Sequence, residues 1–309
     1  KRLSKCDVLV CVMSSSFTQR GEPAIIDKFT RTQFALANGV DLVVELPFVF
    51  TVQNADIFAV TSVAILDKIG VDEIYFGSEN NNIEELTKLG EIMSGTEFNV
   101  LVKEYSKAGY SYPTANDMAM KELYTNSAFD QPNNILGIQY ILAGKTLHSP
   151  ITFHSIKRIT SNYFDELKDG ESIHSASAIR KLILSNADIH NYVPRDVALV
   201  FQHRKATSYE DFYPALYTSI KRSTTEELSL IYHVNEGLEN RIASIHNFTS
   251  IDDLIKQLIT KRYTNSKLKR TLAHILCNVK KTDIPSFDIP YIRILGMNHL
   301  GRELLHTIK

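Results

Sequence analysis

Three strand candidates, Asp7 to Met13, Val40 to Leu46 and Val71 to Phe76, each separated from the next by a helical stretch, constrain the fold of this chain more than any other feature. The first is a short, continuous apolar run and the second is taken as a buried strand ended by Pro47. A strand reads this way when both faces are covered, as in a parallel sheet packed between helices. Pro23 opens a predicted helix that runs to about Asn38 and stops at Gly39. Ala55 to Ile69 forms a second, stopped by Gly70. Proline suits the first turn of a helix and glycine its end. The expected fold class is α/β, a doubly wound parallel sheet.

Polar helices are predicted at about Ile83 to Met93, Glu97 to Lys107 and Thr114 to Tyr124, and Pro132 opens another through Leu147. Pro150 precedes a fourth strand candidate, Ile151 to Ile156, with Arg158 and Ile159 at its carboxyl end. A helix starting near Ser175 closes this part around Ser185. Beyond Tyr192 the pattern is helical throughout, with stretches such as Thr225 to Asn247 and Ile251 to Thr260. The expectation is two domains: an α/β domain over 1–190 and an all-helical C-terminal domain over 191–309. Lys1 stands almost directly in front of an apolar strand, whereas an α/β nucleotide fold puts its first strand and phosphate-facing turn earlier. The first strand is therefore expected to be missing.

The 309 residues are 44% hydrophobic, enough for a proper core. A formal net charge of -1 excludes a globally basic nucleic-acid binder but not a local basic face. Cys6, Cys11 and Cys277 are scattered, with no C-x-x-C pair, so buried free thiols in a reducing cytoplasm are expected and a metal site is not. No apolar run approaches the length of a membrane span, so neither membrane nor DNA is an expected partner.

The chemistry gathers where strands end and helices begin. Gly77, in Phe76-Gly77-Ser78-Glu79, directly follows a strand. Lacking a Cβ, it suits the close approach of a nucleobase or sugar, or equally a tight turn. Asn133 and Asn134, in Pro132-Asn133-Asn134-Ile135-Leu136-Gly137, suit a helix cap, with a base edge as the alternative partner. Arg158 suits either a phosphate or solvent. Ser175-Ala176-Ser177-Ala178-Ile179-Arg180 combines a cap, small residues and a basic residue one turn in. Free N–H groups and the helix dipole then both point at an anion; the alternative is an ordinary capped helix with a solvated arginine. In the loop Ser14 to Glu22, Arg20 and Glu22 suit a pair that holds the loop, Arg20 suits a carboxylate or phosphate, or all face solvent; a structural or substrate-shaping role is expected.

A basic stretch in the helical half points to RNA. Lys256, Lys261, Arg262, Lys267, Lys269, Arg270, Lys280 and Lys281 occur with no intervening Asp or Glu, and Tyr263 lies among them as a candidate stacking residue. Such clusters attract phosphates through counterion release. The alternative is a solvated helix face.

Taken in order, Gln19-Arg20-Gly21-Glu22-Pro23-Ala24, Asp41-Leu42-Val43-Val44-Glu45-Leu46-Pro47, the Phe76, Pro132 and Ser175 motifs, and Tyr291-Ile292-Arg293-Ile294-Leu295-Gly296 resemble the bacterial tRNA(Met) cytidine acetate ligase family. The resemblance covers essentially the whole chain. It implies a Rossmann-like nucleotidyltransferase domain of the H-x-G-H superfamily, which activates acetate with ATP to acetyl-adenylate. The acetyl group then passes to N4 of the wobble cytidine of elongator tRNA(Met). It implies ATP contacts at Gly77, Asn133, Arg158 and Ile159, and a second motif in which Ser177 takes the Thr position and Arg180 the arginine, both facing phosphates. Mg²⁺ is implied as the companion of ATP, and tRNA contacts are expected among Lys261, Arg262, Lys267, Lys269 and Arg270. The H-x-G-H motif is not in this chain, so no catalytic residue is assigned and the chain as it stands is expected to be inactive. Ser15 also stands where the family has glycine in its S-G-x-F-x-Q-R-G-E-P loop.

Two other readings remain open at this stage. One is a nucleotidyltransferase acting on a phosphorylated small metabolite, for which a long basic helical domain would be superfluous. The other is a non-catalytic RNA-binding protein on a degenerate nucleotide fold.

Overall fold

The structure, a computed structural model, describes residues 1, 3–124, 129, 131–158, 175–284 and 289–308. Strand β1 (Val10–Ser14) leads through a long loop to helix α1 (Lys28–Ala37), and β2 (Leu42–Leu46) lies beside β1. Two helices follow, α2 (Phe48–Thr51) and α3 (Ala55–Ile69), before β3 (Glu73–Ser78). The next helices are α4 (Ile83–Ser94), α5 (Thr96–Lys107), α6 (Tyr112–Leu123) and α7 (Pro132–Thr146), leading to β4 (Thr152–Lys157). The remainder runs α8 (Ala176–Leu184), α9 (Arg195–His203), α10 (Tyr213–Arg222), α11 (Thr225–Leu230), α12 (Leu238–Ala243), α13 (Ile251–Leu258), α14 (Asn265–Leu276), β5 (Ile294–Met297) and α15 (His299–Thr307).

The strands form two sheets. In one, β1 pairs parallel to β2, from Val10 opposite Leu42 to Ser14 opposite Leu46, and β5 adds antiparallel on the far side of β2. In the other, β3 pairs parallel to β4, from Glu73 opposite Thr152 to Ser78 opposite Lys157. β2 is buried at every position, the charged Glu45 included. Among the described residues, β1 and β3 do not pair with each other. Both instead line one cavity of about 840 Å³, with Val10 and Val12 on one side, Tyr75 and Gly77 on the other, and Leu66 of α3 and Tyr140 of α7 completing the wall.

Helices cover the sheets through three apolar clusters. Leu42, Val44 and Leu46 pack against Ile65 and Ile69 of α3, with Leu304 and Leu305 of α15 at the margin. Ile74 and Phe76 pack with Val63 of α3, Leu86 and Leu89 of α4, Met120 of α6 and Ile138 of α7. Gly137 is pressed so close to Phe76 that a Cβ there would lie 2.3 Å from its ring, so α7 sits tightly on β3. The third cluster joins α10 to α14 through residues such as Leu216, Leu228, Leu254, Leu268 and Leu272.

Several expectations need correction. Pro23 does not open α1. It bridges back to Phe17 across a small hairpin, and the helix begins at Lys28 because Asp27 supplies a better cap, accepting from the Thr30 N–H at 2.9 Å. The predicted helix Thr225 to Asn247 is broken into α11 and α12, with left-handed residues His233, Glu236 and Gly237 turning the chain between them. The region after Tyr192 is not helical throughout, since β5 returns to the first sheet. The cysteines carry no disulfide, but Cys277 is exposed and Cys6 and Cys11 half-buried, rather than all being buried.

Candidate functional site

At the carboxyl ends of β3 and β4, two of the sequence motifs lock onto each other. Glu79, just past β3, places its carboxylate over the start of α7, where it accepts from the Asn134 N–H at 3.0 Å and the Asn133 N–H at 3.3 Å. Those N–H groups have no partner within the helix, and the positive end of the helix dipole favours the acid. Asn133 Nδ2 also donates to Glu79, at 2.5 Å. In return Asn134, 0% exposed, accepts from Ser78 Oγ at 2.7 Å and from the Glu79 N–H at 3.0 Å. Neither asparagine therefore caps α7 with its own side chain. Glu79 does so, a role that reading Asn as a cap residue overlooked.

This clamp fixes the surroundings of Gly77. The Arg158 side chain lies beside it, such that a Cβ on Gly77 would meet Arg158 Cγ at 3.4 Å, an ordinary contact. The Arg158 N–H extends the β3–β4 pairing by donating to the Ser78 carbonyl at 3.0 Å. Gly77 and Asn133 both line the cavity between β1 and β3. Gly77, Asn133 and Arg158 thus come together, while Ile159 lies outside the described residues. Ser155 and Asn81 add a hydrogen bond of 3.0 Å at the same end of the sheets.

The second motif forms the start of α8. Ser175 is the cap, accepting from the Ala178 N–H at 3.2 Å, and Ser177 is half-buried in the first turn. Arg180 faces the loop after β1, with Nη1 3.6 Å from Glu22 Oε2. Glu22 thus meets cations from two distant segments: besides Arg180, its Oε1 lies 2.5 Å from Lys269 Nζ on α14.

The loop itself is fixed from several sides. Arg31 of α1 donates to the Ser14 carbonyl at 2.9 Å and to that of Ser15. Burial pushes the Arg31 guanidinium below its ordinary range, with Asp27 and Glu45 opposing the shift. Gln19 donates to the Gln53 carbonyl at 2.7 Å, tying the loop to the end of α2.

The five basic candidates on and before α14 differ in their surroundings. Lys261 and Arg262 are exposed. Lys267 is paired with Glu236 at 2.8 Å, and Lys269 with Glu22. Arg270 donates to Asn54 Oδ1 at 3.0 Å, and burial lowers its pKa to about 10, with Asp56 opposing the shift and Arg20 adding to it. Tyr263 is not an open stacking surface: it is 7% exposed within the helical core, and its hydroxyl donates to the Glu236 carbonyl at 2.5 Å. Among the described residues, no cluster of three His, Cys, Asp or Glu side chains could hold a metal ion. Nor is any described helix long and apolar enough to cross a membrane.

Comparison with known proteins identifies relatives of the whole chain. The family model for HIGH nucleotidyl transferases matches residues 1–309. The tRNA(Met) cytidine acetate ligase of Bacillus cereus is 40% identical over 100% of this chain and 84% of its own length. That of Lysinibacillus sphaericus is 38% identical over 99% of this chain and 80% of its own. A crystal structure of Thermotoga maritima TmcAL bound with alpha-thio ATP superposes with a TM-score of 0.89 at 32% identity, covering 99% of this chain and 77% of that one. These likenesses run the length of both the sheets and the helical region, and on them the chain belongs to the HIGH nucleotidyl transferases and, among these, to the tRNA(Met) cytidine acetate ligase family.

Proposed function

We propose that this protein activates acetate with ATP to acetyl-adenylate and transfers the acetyl group to N4 of the wobble cytidine of elongator tRNA(Met). The observation that carries this reading is the convergence of Gly77, Asn133 and Arg158 at the carboxyl ends of β3 and β4, in a fold that matches a nucleotide-bound relative over 99% of the chain. Ligands of open α/β sheets gather at these ends. Gly77 leaves room for the nucleoside, Asn133 and Arg158 contact ATP beside it, and Ile159 completes that set. Ser177 and Arg180 face the phosphates.

In the first step an acetate oxygen attacks the α-phosphorus in line. The bond from that phosphorus to the bridging oxygen breaks, and pyrophosphate departs with the electron pair. Positioning and electrostatic support dominate such steps. Arg180 offers a cation to the departing phosphates. In the second step the cytidine amine attacks the acetyl carbonyl carbon, AMP leaves, and the nitrogen loses a proton. Mg²⁺ would enter as the companion of ATP and would help spread the charge on its phosphates.

The division near residue 190 separates the nucleotide-binding part from the helical part that meets tRNA, with β5 and α15 returning to the sheet. Lys261 and Arg262 lead the tRNA contact, with Lys267, Lys269 and Arg270 behind them. The protein works in the cytoplasm.

Acetate-dependent exchange of labelled pyrophosphate into ATP, measured on the protein encoded by the complete gene, isolates the first step. Arg180→Ala is expected to lower it at least about tenfold, the scale of a lost charged contact to phosphate. Exchange at the wild-type rate in that variant would remove the phosphate role from Arg180.

A further inference from the structure

Glu22 is the one described acid that touches both the second motif and the basic helix. Its two carboxylate oxygens serve different partners, Oε1 toward Lys269 of α14 at 2.5 Å and Oε2 toward Arg180 of α8 at 3.6 Å. We propose that Glu22 is a positioning residue shared by the nucleotide site and the RNA face, so that occupancy of one alters the affinity of the other. The proposal rests on the functional reading above.

The carboxylate is held from its backbone. The Glu22 carbonyl accepts from the Thr18 N–H at 2.7 Å, and the Gly21 N–H donates to the Thr18 carbonyl at 3.0 Å, closing a tight turn. Gly21 occupies the left-handed region at φ +81°, and a Cβ there would lie 2.4 Å from the backbone nitrogen of Arg270. The turn is therefore pressed directly against the backbone of α14, and only glycine fits. On its other side, α14 is fixed by Tyr209, whose hydroxyl donates to the Lys269 carbonyl at 2.9 Å.

The two cations and the acid between them are all partly exposed: the side chains of Arg180, Lys269 and Glu22 are 30%, 20% and 27% exposed. Each cation sits on a long, flexible side chain able to turn toward an anion arriving from solvent. One carboxylate then balances two cations. When the phosphates of ATP take Arg180, the charge of Glu22 falls wholly on Lys269, which becomes less available to an RNA phosphate. Thermodynamic linkage makes the effect reciprocal. For partly exposed ion pairs the expected size is about two- to fivefold in affinity. Release of pyrophosphate returns Arg180 to Glu22 and frees Lys269, so RNA engagement strengthens after adenylation rather than before it.

The test measures the affinity of the protein for tRNA(Met) by fluorescence anisotropy, with and without a saturating α,β-methylene analogue of ATP. The wild type is expected to bind tRNA about two- to fivefold more weakly with the analogue present. In Glu22→Gln the two affinities become equal, with tRNA alone bound at least as tightly as by the wild type, because no acid competes for Lys269. Glu22→Asp, which keeps the charge, retains a ratio above one. Should Glu22→Gln not fold, Arg180→Gln removes the same link from the nucleotide side and must also bring the ratio to one. A strut without this coupling would weaken both ligands in Glu22→Gln and leave the ratio unchanged, which overturns the proposal. So does a wild type that binds both ligands with a ratio of one. A wild type that binds no tRNA, or no analogue, overturns the functional reading itself and this proposal with it.

Discussion

Glu45 lies within β2 with its side chain 5% exposed, between Lys28 Nζ of α1 at 2.7 Å and Arg293 Nη1 at 3.3 Å. A carboxylate so placed in a central strand is tolerated because both cations reach it. Removing it strands the Lys28 ammonium, so Glu45→Ala is expected to lower unfolding stability by about 3 kcal/mol in urea titration. A loss below about 0.5 kcal/mol would show that solvent already screens the pair. The same acid illustrates what a sequence conveys about single residues. Glu45 is a charge within β2, but its partners lie 17 and 248 positions away. Gly77, Asn133 and Arg158 were expected where strands end and helices begin, and the structure brings them together there. Glu79 and Glu22 were not, because their roles depend on which distant N–H or cation the folded chain brings to them. Tyr263 misled for a related reason: a tyrosine among lysines looks exposed until the helical core closes over its ring.

At the scale of elements, α14 does two jobs that its sequence does not separate. Its basic side presents Lys267, Lys269 and Arg270, while its buried side carries His274, whose Nε2–H donates to the Val52 carbonyl at 2.9 Å. The His274 ring stacks on that of His233, centroids 5.1 Å apart, and His233 in turn lies 3.3 Å from Gln53 Oε1. Burial pushes His233 down to about 3, with His274, Arg270 and Lys267 adding to the shift. Burial likewise pushes His274 down to about 4, the hydrogen bond to Val52 opposing and Arg270 assisting. Both are therefore neutral in the folded protein and take up protons on unfolding once the pH falls below their ordinary value of 6.5. Stability is full above that value and falls as pH drops from 6.5 toward 4, by up to about 1.4 kcal/mol per pH unit for each histidine. Urea midpoints at pH 7 and pH 5 should show this loss, and a shallower one in His233→Asn; equal slopes in the two proteins would contradict it. Helices with strong end signals were legible, as α3 was from Gly70, which takes the left-handed cap conformation. The start of α1 was misplaced because Pro23 was given more weight than Asp27. The break between α11 and α12 was missed because Gly237, a left-handed glycine just before α12, was not read as a stop, and left-handed His233 and Glu236 add no signal of their own.

For the whole molecule, the parallel, doubly wound character followed from the apolar runs, since only strands covered on both faces read that way. The return of β5 to β2 did not, because a four-residue antiparallel edge strand after a long helical stretch has too little pattern to be seen. The readings left open from sequence, a small-molecule nucleotidyltransferase and a non-catalytic RNA binder, gain nothing from relatives that are themselves tRNA(Met) cytidine acetate ligases over the full chain. The most direct measurement is transfer of labelled acetate to total bacterial tRNA by the protein encoded by the complete gene, with and without ATP. The account predicts ATP-dependent label confined to elongator tRNA(Met) and recovered as N4-acetylcytidine. Unlabelled tRNA, from protein that is folded and binds ATP, would contradict it.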